Sequence, residues 1–168
     1  MRALIITGKY AQDIEVWYPY YRLKEDGWDV DICMPDKEAL GVYGMKMVRT
    51  RDLPDAHISG YWQLLILPGG ARALEYLRTN EDVIRVIKHF AYGGGVIGSI
   101  CHGTQLLISA GLVKGRKVSG YYSIKDDIIN AGGEFVDAPY VIDDRIICSP
   151  HYKYLGPWMK AVIDNVSV

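Results

Sequence analysis

The amino-acid sequence predicts an α/β fold in which helices cover both faces of a mostly parallel sheet. Short apolar runs without polar alternation, such as 64–67 and 96–100, are typical of strands that are buried on both sides. These runs alternate along the chain with longer segments of helical spacing, and glycine or proline separates the two kinds. A chain of 168 residues has the length of one domain, which we place at residues 1–168.

The first half of the chain contains two strongly marked helical regions. A helix over 14–26 ends at Gly27, and because proline lacks an amide hydrogen, we expect Pro19 in its first turn or at a kink. The helical region 71–92 is expected to form two pieces, since Asn80 has the side chain of an N-cap. The other elements expected in this half are strands at 2–7, 29–34 and 64–67, a small hairpin or edge strand within 41–51, and a short helical turn at 55–60.

The second half begins with the buried strand at 96–100, which leads through a sharp turn into a helix at 105–110. Ligands of parallel sheets bind at the carboxyl ends of the strands, so the loops 8–15, 69–75 and 101–105 should converge on one site. The further elements expected are a strand at 117–119, a helix at 124–130, strands at 135–141 and 145–148 across a turn at Asp143-Asp144, and a closing helix at 157–166.

Composition and charge exclude several classes of function. A net charge of −1 gives no electrostatic basis for binding nucleic acid or an anionic membrane, and no apolar run has the length of a membrane span. The first residues lead directly into a strand rather than a signal peptide. The three cysteines are widely spaced, which indicates neither a disulfide framework nor a metal site, so we expect no metal, no cofactor and a reducing cytoplasm.

The candidate nucleophile is Cys101, which lies at the turn between the strand at 96–100 and the following helix. A cysteine at such a turn projects from the edge of the sheet above unpaired helix N–H groups. Those groups favour the thiolate, which is the reactive form of the side chain. The alternative is an inert core cysteine, which is the usual role of a cysteine in an apolar run.

Other polar groups are expected beside Cys101. Gly69-Gly70 follows a buried strand and would allow backbone N–H groups to approach a substrate, as in an oxyanion hole, or it is a plain tight turn. His102 could act as the base if its ring reaches the sulfur. Glu15 and Glu75 are the two acids on converging loops, although a glutamate on a helix is more often a solvated surface residue.

The sequence resembles the PfpI-type intracellular cysteine protease family of the ThiJ/PfpI superfamily. The resemblance extends from the first strand to the last helix, through Trp158-Met159. It depends on Glu15-Val16-Trp17-Tyr18-Pro19-Tyr20-Tyr21-Arg22-Leu23, Leu67-Pro68-Gly69-Gly70, Ser99-Ile100-Cys101-His102-Gly103, Ile108-Ser109-Ala110-Gly111-Leu112, Gly115-Arg116-Lys117 and Ile124-Lys125-Asp126-Asp127-Ile128-Ile129-Asn130-Ala131-Gly132.

The resemblance implies a flavodoxin-like three-layer sandwich with Cys101 as the nucleophile at a strained turn. Glu15 would lie close to the thiol and tune its ionisation, and His102 would be the base. Glu75 would orient His102 from a neighbouring subunit, in dimers that build hexamers, so the resemblance implies a homo-oligomer. The abundance of tyrosine, with 13 residues, is consistent with subunit contacts.

The resemblance also implies the groups that bind the substrate. The backbone N–H groups of Gly70 and His102 would form the oxyanion hole, beside Gly69, and Tyr121 matches a family tyrosine near the site. The chain departs from the family at Thr104, where proline is usual, at Tyr122-Ser123, where Pro-Gly is common, and in the segment 149–154. His151 lies in that last segment and would be either a second histidine of the site or a surface residue.

Three classes of function are considered for this chain. The first, which the resemblance implies, is a cysteine-nucleophile hydrolase acting on peptides, and the alternative that the resemblance also implies is a cofactor-independent glyoxalase or deglycase acting on α-oxoaldehydes such as methylglyoxal. The second is a non-enzymatic stress protein, a redox sensor or chaperone, in which Cys101 is oxidised reversibly. The third, a glutaminase-like domain, is weaker because no downstream His-x-Glu pair is present.

Overall fold

A computed structural model describes residues 1–53 and 61–166 of the chain. Six strands form the central sheet in the order β2-β1-β5-β6-β10-β9, and two pairs, β3-β4 and β7-β8, lie outside it. The strands are β1 (Arg2–Ile6), β2 (Asp29–Cys33), β3 (Glu38–Leu40), β4 (Lys46–Val48), β5 (Leu64–Leu67), β6 (Val96–Ile100), β7 (Lys117–Val118), β8 (Glu134–Phe135), β9 (Val141–Asp143) and β10 (Ile146–Ser149). The helices are α1 (Asp13–Glu25), α2 (Ala71–Leu77), α3 (Glu81–Tyr92), α4 (Thr104–Ser109), α5 (Lys125–Asn130) and α6 (Leu155–Val166).

The central sheet is parallel except for its edge strand β9, which runs antiparallel to β10. Every residue of β5, β6 and β10 is buried, as expected for strands covered on both faces. The predicted α/β fold with a mostly parallel sheet is therefore confirmed. The carboxyl ends of β1, β5, β6 and β10 meet at one edge, and the site described below is built there.

Close packing of α6 explains a glycine within the central strand β6. A Cβ atom on Gly98 would lie 3.0 Å from Val162 and 3.1 Å from Trp158, both on α6. Trp158 is fully buried, and its indole N–H donates a hydrogen bond of 3.1 Å to the carbonyl oxygen of Ile147. The absence of a side chain at position 98 thus allows α6 to pack directly on the strand that leads to Cys101.

Several expected elements are confirmed, and one is wrong. Asn80 caps α3 by accepting hydrogen bonds from the N–H groups of Asp82 and Val83, so the region 71–92 does form two helices. Pro19 lies in the middle of α1, which excludes the first turn, one of the two places expected for it. The strand expected at 135–141 is not continuous, because residues 134–135 pair with β7 while Val141–Asp143 pair with β10. The helical turn expected at 55–60 lies outside the described residues.

Candidate active site

Cys101 occupies a strained turn at the carboxyl end of β6. Its φ of 58° lies in the left-handed region, which costs a non-glycine residue roughly 1–3 kcal/mol. The surrounding structure stabilises this conformation, since the N–H of Tyr121 donates a 3.0 Å hydrogen bond to the Cys101 carbonyl oxygen. A side chain at Gly103 would collide with the carbonyl oxygen of Leu67, so β5 and the turn approach each other as closely as backbone allows.

Glu15 projects from the first turn of α1 into the interior beside Cys101. The residue is fully buried, and neither carboxyl oxygen has a hydrogen-bond partner at ordinary distance among the described residues. Burial raises the pKa of Glu15 to about 8, and the facing Cys101 thiol and Gly69 N–H offset this effect only in part. The carboxyl group is therefore mostly protonated at pH 7 and can donate a hydrogen bond to a thiolate.

The thiol of Cys101 is less acidic than the sequence suggests. Burial, followed by the negative charge that Glu15 carries when ionised, raises the pKa of Cys101 above its usual value. The N–H groups of His102 and Gly70 act in the opposite direction but do not outweigh burial. The amide groups at this turn do favour the thiolate, but burial outweighs them in the unliganded chain, so forming the thiolate would need a base.

His102 lies where such a base is needed. Its Nδ1 atom is 3.5 Å from the sulfur of Cys101, and its Nε2 atom is 3.4 Å from the hydroxyl of Ser123. The imidazole stacks against the ring of Tyr121, with centroids 4.7 Å apart. Burial lowers the pKa of His102, so the ring is neutral near pH 7 and can accept the thiol proton.

Two backbone amides face the sulfur atom, those of His102 and Gly70. Gly70 has a φ of 105°, and a Cβ atom there would lie 2.7 Å from backbone atoms of both Tyr10 and Gln12. A Cβ atom on Gly69 would lie 2.9 Å from the amide nitrogen of His102. Both positions therefore require glycine, and the two amides can donate hydrogen bonds to a negatively charged oxygen beside the sulfur.

A cavity of about 250 Å³ opens above the sulfur atom. Among the described residues its lining includes no Asp, Glu, Lys or Arg. The lining consists of Gln12, Tyr43, Gly70, Cys101, Tyr121, His151 and Tyr152. Cys101 is thus accessible to a small uncharged ligand.

One wall of the cavity comes from the β3–β4 hairpin, which the sequence analysis did not connect with the site. The buried carboxylate of Asp13 accepts hydrogen bonds from the N–H groups of Tyr43 (2.8 Å) and Met45 (2.9 Å). These bonds hold the hairpin loop against the start of α1. The hairpin lies outside the central sheet, so the rule that ligands bind at strand ends could not have identified Tyr43.

The predicted site residues divide into two groups. The structure brings Cys101, His102, Glu15, Tyr121 and the glycine pair together, and it places His151 in the cavity wall. Glu75 is exposed on α2 and makes no described hydrogen bond or ion pair with His102 of its own chain. Sequence reasoning did not single out Gln12, Tyr43 or Tyr152, although Gln12 lies in the loop 8–15 and Tyr152 in the divergent segment 149–154. It also missed the contact of Ser123 with His102, for which the departure from the family at Tyr122-Ser123 was a signal.

Two other kinds of feature are absent from the described residues. No three His, Cys, Asp or Glu side chains within 1–53 and 61–166 lie close enough together to hold a metal ion. None of the described helices combines the length and the apolar character that crossing a membrane requires.

Comparison with known proteins identifies the family. The model of the DJ-1/PfpI family matches residues 1–165. The chain belongs to the DJ-1/PfpI family. Deglycase PfpI of Pyrococcus furiosus is 37% identical over 164 residues, covering 97% of this chain and 98% of that protein. The putative cysteine protease YraA of Bacillus subtilis is 34% identical over 149 residues, covering 88% of this chain and 86% of that protein.

Solved structures of DJ-1/PfpI proteins share the fold. Schizosaccharomyces pombe DJ-1 superposes with a TM-score of 0.90 at 20% identity, covering all of this chain and 93% of that one. The flavodoxin-like sandwich that the resemblance implies is thereby confirmed. Membership in a family that contains named deglycases and a named cysteine protease agrees with an enzyme of the cysteine hydrolase or glyoxalase class.

Proposed function

We propose that this protein is a cofactor-independent enzyme that converts small α-oxoaldehydes, free or bound to amines, into 2-hydroxy acids. The observation that carries the proposal is the small uncharged cavity of about 250 Å³ above Cys101 and its two facing amides. This volume lies below the roughly 300–1,000 Å³ of pockets that hold drug-sized ligands. It suits a molecule such as methylglyoxal, and the name of the deglycase relative supports the same class of chemistry.

The residues of the site can carry out the first step. His102 Nδ1, 3.5 Å from the sulfur, accepts the thiol proton while the sulfur forms a bond to the aldehyde carbon. The electron pair of the carbonyl bond moves to the aldehyde oxygen, which the N–H groups of Gly70 and His102 stabilise. Transfer of the proton from His102 to that oxygen gives a neutral hemithioacetal.

The remaining steps need no oxidant or reductant. His102 removes the proton from the former aldehyde carbon, and the electron pair shifts toward the neighbouring carbonyl, giving an enediolate. His102 returns its proton to the second carbon, and the proton on the first oxygen moves to the second oxygen, which gives a thioester of the 2-hydroxy acid. Water then forms a bond to the thioester carbon, the carbon–sulfur bond breaks, and the thiol regains a proton. The first carbon loses two electrons, and the second carbon gains them.

Peptide hydrolysis is a second candidate, supported by the contact of His102 with the thiol and by the name of the YraA relative. An amide substrate needs a proton for its leaving amine, and His102 could supply the one it took from Cys101. A peptide would also have to place its backbone in a cavity of about 250 Å³. This size favours the aldehyde, which has no chain continuing on both sides of the reacting carbon.

We propose in addition that the complete enzyme is a homo-oligomer. Glu75 is exposed on α2, and a carboxylate is the group that would orient His102. A second copy of the chain would place its Glu75 near His102, as the family resemblance implies for dimers and hexamers. Exposed apolar side chains near the cavity, including Ile14, Tyr43 and Met45, support such a contact.

The test compares lactate formation from methylglyoxal with cleavage of a fluorogenic peptide. Cys101→Ala should lower the favoured reaction at least about 10³-fold, because no other group can form the covalent intermediate. Cys33→Ala is the matched control, since it removes another buried thiol that does not line the cavity. Full methylglyoxal turnover by Cys101→Ala would contradict the proposal. Rapid peroxide oxidation of Cys101 with negligible turnover of either substrate would instead support the redox-sensing alternative.

A further inference from the structure

We infer that His151 binds the second carbonyl oxygen of the α-oxoaldehyde through its Nε2–H and stabilises the enediolate that forms there. The inference rests on the proposed function and assigns a role to a particular atom of this chain. It starts from the position of His151. Because β10 runs parallel to β6 with Ser149 beside Ile100, His151 emerges at the same sheet edge as Cys101.

A backbone hydrogen bond determines which ring nitrogen carries the proton. The N–H of Lys153 donates to Nδ1 of His151 over 3.1 Å, so Nδ1 is an acceptor and holds no hydrogen. A neutral imidazole with an unprotonated Nδ1 must carry its hydrogen on Nε2. The ring is neutral near pH 7 because partial burial and the charge of Lys153 both lower the pKa of His151.

Two aromatic neighbours hold the ring of His151 in place. Its centroid is 4.1 Å from that of Tyr152 and 6.2 Å from that of Tyr121, and the Tyr121 ring also stacks on His102. His151 lines the cavity above Cys101, and no hydrogen-bond partner is found for Nε2 among the described residues. A positioned donor with no protein partner is therefore available to a ligand in this cavity.

The chemistry of the substrate requires a donor of this kind. The amides of Gly70 and His102 face the sulfur, so they lie beside the oxygen of the carbon that the sulfur attacks. When the proton leaves that carbon, negative charge develops on the neighbouring oxygen instead. Among the described residues that line the cavity there is no lysine or arginine, and His151 is the only imidazole. Because this donor is neutral, it gives no electrostatic preference for substrates that carry a carboxylate or a phosphate.

Three substitutions of His151 distinguish loss of the hydrogen-bond donor from loss of the ring. His151→Phe keeps a flat ring against Tyr121 and Tyr152 but has no donor. His151→Gln places an amide nitrogen near the position of Nε2, whereas His151→Asn retains a polar atom near Nδ1 and ends short of Nε2. His89→Phe is the matched control, because His89 is exposed on α3 and does not line the cavity.

Each variant is assayed with two substrates, methylglyoxal and p-nitrophenyl acetate. The ester is attacked by Cys101, and its oxyanion can be bound by the amide pair. It has no second carbonyl carbon, so it forms no enediolate. We expect His151→Phe and His151→Asn to lower kcat for methylglyoxal about 10²-fold, the usual cost of one oxyanion donor. Hydrolysis of the ester should change less than about twofold, and His151→Gln should recover most of the methylglyoxal turnover.

Each other outcome has a distinct meaning. Equal losses with both substrates, or equal turnover of methylglyoxal by His151→Phe and the wild type, would overturn the role of His151 alone. A His151→Gln variant as impaired as His151→Phe would also overturn it. A wild-type protein that hydrolyses the ester through Cys101 but never converts methylglyoxal would remove the proposed function, and the inference with it.

Discussion

At the scale of single residues, the site depends on one buried acid and one buried thiol that cannot both be ionised. Glu15 has no exposed surface, and its pKa of about 8 leaves it mostly protonated at pH 7. The negative charge of an ionised Glu15 would raise the pKa of Cys101 further, so loss of a proton by one of the two groups makes loss by the other less favourable. A protonated Glu15 removes this repulsion and permits a thiolate once His102 has accepted the proton.

Glu15 should make the fold less stable as the pH rises. Its pKa is higher in the folded than in the unfolded chain, so its stabilising effect is complete below about 4.5 and is lost as the pH rises through about 8. Urea unfolding of Cys101→Ser and of Glu15→Gln/Cys101→Ser, where no thiol titrates at the site, should therefore diverge with pH. The double variant should gain on the order of 3–5 kcal/mol relative to Cys101→Ser between pH 5 and pH 9. A difference that does not depend on pH would show that Glu15 ionises normally.

At the scale of elements, short turns and caps place the site residues at the sheet edge. The 3₁₀ turn Cys101–Gly103 joins β6 to α4, and Thr104 at the start of α4 donates a 2.8 Å hydrogen bond to the carbonyl oxygen of Ser119. This bond ties the turn to the segment that carries Tyr121. The division of the region 71–92 at Asn80 is equally local, since the Asn80 side chain accepts from two N–H groups of α3.

Asn80→Ala should destabilise the protein without affecting the chemistry at Cys101. Loss of an N-cap costs about 1 kcal/mol because two N–H groups in the first turn of α3 lose their acceptor. Urea unfolding should give a lower midpoint with an unchanged slope, while Asn80→Asp, which keeps the acceptor oxygen, should remain close to the wild type. Methylglyoxal turnover of both variants should match the wild type at 25 °C. An Asn80→Ala midpoint equal to that of the wild type would contradict the capping role.

At the scale of the whole molecule, the parallel sheet brings together residues that are far apart in the sequence. Glu15 follows β1, the glycine pair follows β5, Cys101 follows β6 and His151 follows β10. These four strands are consecutive neighbours in the sheet, and their carboxyl ends meet at one edge. The exposed Glu75 is the one proposed catalytic residue that this arrangement does not bring to the cavity, so assembly of copies should complete the site.

Mixing two inactive variants should restore activity if Glu75 acts from a neighbouring subunit. Glu75→Gln retains Cys101, and Cys101→Ala retains Glu75, so a mixed dimer contains one complete site. Unfolding equal amounts together and refolding them should recover about one quarter of the wild-type turnover, since random pairing makes half of all dimers mixed and half of their sites complete. Each variant refolded alone is the control. No gain on mixing, or a Glu75→Gln variant with full activity, would contradict a role in trans.

Local signals in the sequence determined most of the elements and the identity of the candidate nucleophile. Buried apolar runs and the N-cap at Asn80 are short-range features, because hydrophobic burial and backbone hydrogen bonding act over a few residues. Residue patterns proposed Glu15 and His102 as neighbours of Cys101, and the family resemblance added Tyr121. The structure places all three beside it.

Only the tertiary structure decided the protonation of the site and the shape of its cavity. The pKa values of Glu15 and Cys101 depend on how much water the packed chain excludes, and for the thiol this burial outweighs the amide groups that the sequence indicated. Tyr43 reaches the cavity through hydrogen bonds from its hairpin to Asp13, 30 residues earlier in the chain. Long-range packing sets both features, because desolvation and shape arise only when distant segments come into contact.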